Sequence, residues 1–192
     1  MRRHFDPAEL ELMDRPQPVS SELEQDLRSI RQLNRWFGSH RLVRRFVRCW
    51  IKPGDNVRVV DLASGSGDIP RLIVDCARKI GTRVEIIALD RQSATLEIAR
   101  KLSGDYPEIS FIEADILKFK PSDGYDLVLC SLALHHFSDE DAVRVLQRCA
   151  RFRPAARLAR HDWSMSFDCA DFSRANDAAR RAAFNGTGLF LR

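Results

Sequence analysis

The chain is 192 residues long, 44% apolar and 30% charged, with a formal net charge of +4. That balance predicts one globular domain with a sizeable core and excludes a disordered or low-complexity chain. No apolar run approaches the roughly 20 residues of a membrane span, and the opening stretch "MRRHFDPAELELMDRPQP" has no signal-peptide core, so a cytoplasmic protein with no membrane partner is expected.

Two helices come first. Ser21, with Glu24 three residues later, fits a capping box, and Leu23, Leu27, Ile30, Asn34 and Phe37 keep one face. Gly38 is placed to end that helix and Ser39 to cap a second, whose Leu42, Val43, Phe46, Val47 and Trp50 form an apolar stripe with arginines opposite. After the turn "IKPGDN" the pattern alternates: strand 57–62, helix 69–79, strand 83–89, helix 93–102, strands 109–113 and 126–131, helix 139–152. Strands alternating with amphipathic helices predict an α/β fold, a doubly wound, mostly parallel sheet with helices on both faces. Ligands of such sheets bind beyond the C-terminal ends of the strands.

Charge is unevenly spread: Arg and Lys against Asp and Glu number 11 to 7 over residues 1–52, 12 to 16 over 53–150 and 8 to 4 over 151–192. A basic terminal helix is either a solvated face or a surface for nucleic acid, acidic lipid or an anionic substrate. The five cysteines form no CxxC pair, which argues against a metal site or a disulfide framework.

The motif that carries chemistry is "VVDLASGSGDIP", residues 59–70, a hydrophobic strand entering a glycine loop and then a helix. A dinucleotide loop reads GxGxxG, and here the equivalent positions hold Ala63, Gly65 and Asp68, so the third glycine is missing. Asp61 and Asp68 would also flank a pyrophosphate with two carboxylates in a partly desolvated cleft. A ligand with positive charge suits the loop better.

In these residues the chain resembles the Rossmann-like, class I S-adenosylmethionine-dependent methyltransferases of the small-molecule type. Their first motif, an acidic residue followed by alternating glycines, is matched by Asp61, Ala63, Ser64, Gly65 and Gly67, with Ala63 in place of the first glycine. The resemblance implies S-adenosyl-L-methionine as cofactor. It further implies that Asp90, with Arg91 beside it, meets the ribose hydroxyls, that Asp115 and Ile116 meet the adenine, and that Ser131 opens the segment beneath the methionine end. By this reading residues 1–52 are a helical lid, 53–152 the cofactor-binding core and 153–192 an atypical tail.

Methyl transfer asks the protein mainly for alignment and desolvation. Where the acceptor carries a proton, a base helps, and His135 and His136 follow the fourth strand where an acceptor would sit; the alternative is that they simply pack and hydrogen-bond. Trp36, Phe37, Phe46 and Trp50 either line an apolar acceptor pocket or pack against the sheet. The expected acceptor is a small phenolic or polyketide-like molecule methylated on oxygen. A degenerate binding protein is the alternative, with a nicotinamide-dependent reductase behind it. No aromatic-and-basic RNA module is visible, so nucleic acid is not an expected partner. The tail has Ala155 and Ala156 where the family's turn carries glycines, and its strand would hold Arg157, Arg160, His161 and Asp162, unlike a buried central strand. Incomplete C-terminal strands are therefore expected, and one helix near 174–184.

Overall fold

The computed structural model describes residues 15–36, 38–119, 124–131 and 133–151. The described residues fall into two units, 16–131 and a second that takes in Arg15 and 133–151. The first holds α1 (Ser21–Trp36), α2 (Ser39–Trp50), β1 (Asn56–Leu62), α3 (Asp68–Ile80), β2 (Arg83–Asp90), α4 (Ser93–Leu102), β3 (Ile109–Glu113) and β4 (Leu127–Cys130). The second holds a short 3-10 turn, Leu134–His136, and α5 (Asp139–Arg151).

The four strands form one parallel sheet in the order β3-β2-β1-β4. Two crossovers step outward from β1 in one direction and the third returns to its other side, as in a doubly wound sheet. The reversal between β1 and β4 makes the C-terminal end of β1 the topological switch point, where a ligand is expected. The α/β reading of the sequence holds.

Element ends have local causes. The cap of α1 is Ser20, one residue before the expected Ser21: its Oγ accepts from Leu23 N–H at 3.2 Å and its carbonyl from Glu24 N–H at 3.0 Å. Likewise Ser39 is the first helical residue of α2, not its cap; Gly38, at φ 91°, occupies the cap position and makes the sharp turn from α1. In the second unit Ser138 caps α5, accepting from Asp141 N–H at 3.2 Å.

The core of the first unit lies between β1, β2 and α3. Val59, Ile73, Val74, Ala77 and Ile86 are essentially solvent-free, joined by Val47 and Ile51 from α2 and its end. Leu23 and Leu27 of α1 pack separately on Ala94 and Ile98 of α4. The first two helices are therefore fastened to the helices that flank the sheet. Trp50 packs on the main cluster and stacks on Phe46 with ring centroids 5.0 Å apart, while Trp36 is 77% exposed. Trp50 thus takes the packing role, and Trp36 lies on the surface. Phe37 and the expected tail strand and helix lie outside the described residues.

Candidate cofactor site

Immediately after β1 the backbone turns through three left-handed residues: Ala63 at φ 56°, Gly65 at φ 54° and Gly67 at φ 73°. Ala63 stands where a glycine would carry no steric cost, so the loop holds its shape at the expense of local strain. Three hydrogen bonds fix that shape. Ser64 N–H donates to the Leu89 carbonyl at 2.7 Å, Gly65 N–H to Asp90 Oδ2 at 2.9 Å and Gly67 N–H to the Ser64 carbonyl at 2.9 Å. Gly67 also sits in a tight place, because a Cβ there would lie 3.1 Å from the Phe111 ring and 3.3 Å from Arg71 Nη1, so those side chains would have to shift.

Three carboxylates gather at this edge. Asp61 is only 2% exposed, and its Oδ1 has no hydrogen-bond partner among the described residues; neither has Ser64 Oγ. Burial first, and then repulsion from Asp68 and Asp90, pushes the Asp61 carboxyl well above the usual carboxylate range. Burial also raises Asp90, against the N–H groups of Gln92, Gly65 and Arg91 that favour its charged form. Asp68 Oδ2 accepts from Asn34 Nδ2 at 3.2 Å and from His40 Nε2 at 2.9 Å. One turn further on, Arg71 Nη1 ties the Ser66 carbonyl to Ser103 Oγ, each at 2.8 Å, and burial lowers its pKa.

The remaining expected residues fall around this centre. Asp115 and Ile116 follow β3; the Asp115 carboxylate accepts from Leu117 N–H at 2.9 Å, closing a turn, and Ile116 is buried. Arg91 follows β2 and is exposed, and Ser131 follows β4. The sheet therefore brings Asp61, Ala63, Ser64, Gly65, Gly67 and Asp90 together and sets Asp115 and Ser131 at the same C-terminal edge. His136 belongs to the 3-10 turn of the second unit, where its N–H donates to the Ala133 carbonyl at 3.1 Å. The His135 side chain lies outside the described residues.

An unpartnered buried carboxylate and hydroxyl beside an open glycine loop suit a ligand that brings positive charge and N–H donors. S-adenosylmethionine, with its sulfonium and α-ammonium groups, fits that donor set, and a pyrophosphate does not. The profile of a methyltransferase domain matches residues 59–154, half of the chain. The chain belongs to that family. Fold and sequence place it among the class I, S-adenosylmethionine-dependent methyltransferases.

Similar proteins include the 2-phytyl-1,4-naphtoquinone methyltransferase of Synechococcus elongatus, 36% identical over 131 residues that cover 64% of this chain and 53% of that protein. The ubiquinone/menaquinone biosynthesis C-methyltransferase UbiE of Pectobacterium carotovorum is 32% identical over 128 residues, 64% of this chain and 49% of that one. The chain spans about half the length of these relatives. The plantazolicin methyltransferase BpumL, solved with S-adenosylhomocysteine, shares the fold at TM-score 0.51 and 19% identity, covering 70% of this chain and 50% of its own.

Sequence reasoning missed Asn34, His40, Arg71 and Phe111 in this methyltransferase. Only Asn34 left a mark, as the polar residue on an otherwise apolar helix face.

Proposed function

We propose that this methyltransferase binds S-adenosylmethionine at the loop after β1 and methylates a small, electron-rich ring such as a phenol or hydroquinone. The observation that carries the reading is Asp61: a buried carboxyl with an unpartnered oxygen, at the switch point of the sheet, behind a loop of left-handed residues. The quinone-methylating relatives described above support a quinone-like acceptor, with carbon rather than oxygen as the competing position of transfer.

In this reading Asp61, Ala63, Ser64, Gly65 and Gly67 hold the methionine end, Asp90 and Arg91 the ribose, and Asp115 and Ile116 the adenine, with Ser131 closing the floor. When bound, S-adenosylmethionine supplies a methyl group already activated on sulfur. The protein's part is to align and exclude water, which is the proximity effect worth at most roughly 7–11 kcal/mol. Asp61 takes on negative charge as the cationic ligand arrives, and Asp90 braces the loop through Gly65. His135 and His136, which follow the fourth strand in sequence, are the proposed bases for the proton that an acceptor hydroxyl loses.

The test is calorimetric titration with S-adenosylmethionine, with NADH as control. Micromolar binding of the first alone supports the reading, and tighter binding of NADH overturns it. Incubation with reduced naphthoquinone and with simple phenols then reads out S-adenosylhomocysteine release. Mass spectrometry of the product separates transfer to carbon from transfer to oxygen, and binding with no release on any acceptor leaves a cofactor-binding module without transfer.

A further inference from the structure

The family match begins at residue 59, so nothing in it accounts for what the first two helices bring to the site. Asn34, near the end of α1, and His40, at the start of α2, converge on a single oxygen of Asp68, the first residue of α3. All three are poorly exposed: Asn34 at 8%, and the His40 and Asp68 side chains at 13% and 9%. A polar side chain on the packed face of a helix costs stability unless it is hydrogen-bonded, so Asn34 holds its place by this contact.

Asp68 has few other ways to be satisfied. Arg71, the cation one turn along α3, directs its Nη1 to the Ser66 carbonyl and Ser103 Oγ. Two donors from distant sequence therefore hold Asp68, whose backbone directly follows Gly67, itself tied through its N–H to the Ser64 carbonyl at 2.9 Å. Asp68 is thus the immediate neighbour of the loop's last left-handed residue.

We propose that Asn34 and His40 are positioning residues for the cofactor loop: by holding Asp68 they clamp the α1–α2 turn onto the start of α3 and keep the Gly65–Asp68 turn in its binding shape. The inference rests on the cofactor reading above. Without the clamp the Asp68 carboxylate, beside Asp61 and Asp90, swings toward water and loosens the turn.

Calorimetric titration of the full chain with S-adenosylmethionine tests this, with thermal unfolding run in parallel. His40→Ala is expected to raise Kd about tenfold, the scale of a lost hydrogen bond to a charged group. His40→Gln keeps an N–H donor and is expected to stay within about threefold of the unmodified chain. Asn34→Ala should act in the same direction as His40→Ala, and more weakly. A lowered Tm with unchanged Kd in His40→Ala would mean a purely structural contact and overturns the inference, as would equal losses for the Ala and Gln variants. If the unmodified chain fails to bind S-adenosylmethionine, the cofactor reading falls and this inference with it; binding that His40→Ala leaves intact removes this inference alone.

Discussion

The two ends of the same sheet are built differently. At the N-terminal end the polar groups close on one another. Lys52 N–H donates to Asp55 Oδ2 at 2.8 Å, Thr82 Oγ1 to the Lys52 carbonyl at 2.6 Å, and Arg58 N–H to Asp126 Oδ2 at 2.8 Å, while the Arg58 guanidinium lies 4.8 Å from the Tyr125 ring centre. At the C-terminal end, one strand length away, Asp61 and Ser64 keep buried oxygens without partners, two carboxyls are raised in pKa and Ala63 sits in a left-handed conformation. The first end is organised for stability alone. The second gives up stability to hold charge and shape ready for a ligand.

Substitutions at the two ends should therefore pull stability and binding apart. The largest effect is expected for Asp61→Asn, which should weaken S-adenosylmethionine by about 10- to 100-fold, the range of a charged hydrogen bond. The same change should stabilise the ligand-free protein. The folded-state pKa of Asp61 lies above the ordinary 3.8, so the native state keeps a proton that the unfolded chain has lost, and stability falls as pH rises from about 4 through the folded value. The gain from Asn should be absent near pH 3.5 and grow as pH rises through the folded value, on the order of 2–4 °C in Tm for each 1 kcal/mol in a chain of this size. Thermal melts across pH check it. A cation arriving beside Asp61 should also drive off its proton, so titrations in buffers of different ionisation enthalpy should show proton release on binding.

Asp90→Ala comes next, with an expected loss of about 1–3 kcal/mol in cofactor binding, since it removes the brace on Gly65 N–H. Unchanged Kd would show that the ribose site is elsewhere. At the opposite end Asp126→Ala should lower stability by about 1 kcal/mol through the orphaned Arg58 N–H and leave Kd unmoved. Loss of cofactor affinity there would break the contrast between the two ends. The smallest effect is expected for Ala63→Gly, a gain of at most about 1 kcal/mol by urea unfolding, because relief of left-handed strain is partly offset by a freer unfolded chain.

Most of the sheet was legible because its pattern is local. The 3.6-residue period of α4 predicts 93–102, and the observed helix is Ser93–Leu102; β3 likewise falls on 109–113. The glycine loop and its flanking Asp61 and Asp90 were legible because acid and glycine positions lie at strand ends. The clamp was not. His40 and Asp68 are separated by 28 residues, and Arg71 and Ser103 by 32, and no local period records such a pairing. The caps shifted by one residue at Ser20 and Gly38 because serines occur in adjacent positions and a left-handed glycine makes the turn unaided.

The burial of Val47 and Ile51 against Val57, Ile73 and Val74 bears on where the folding unit begins. A fragment cut at residue 55 would retain the whole glycine motif yet expose the apolar flank of α3 to water, together with Ala94 and Ile98, which Leu23 and Leu27 cover. Sequence matching draws the border of this domain at the start of its signature. Both leading helices bury core residues, so a fragment that starts at the signature should melt at a lower temperature than the full chain.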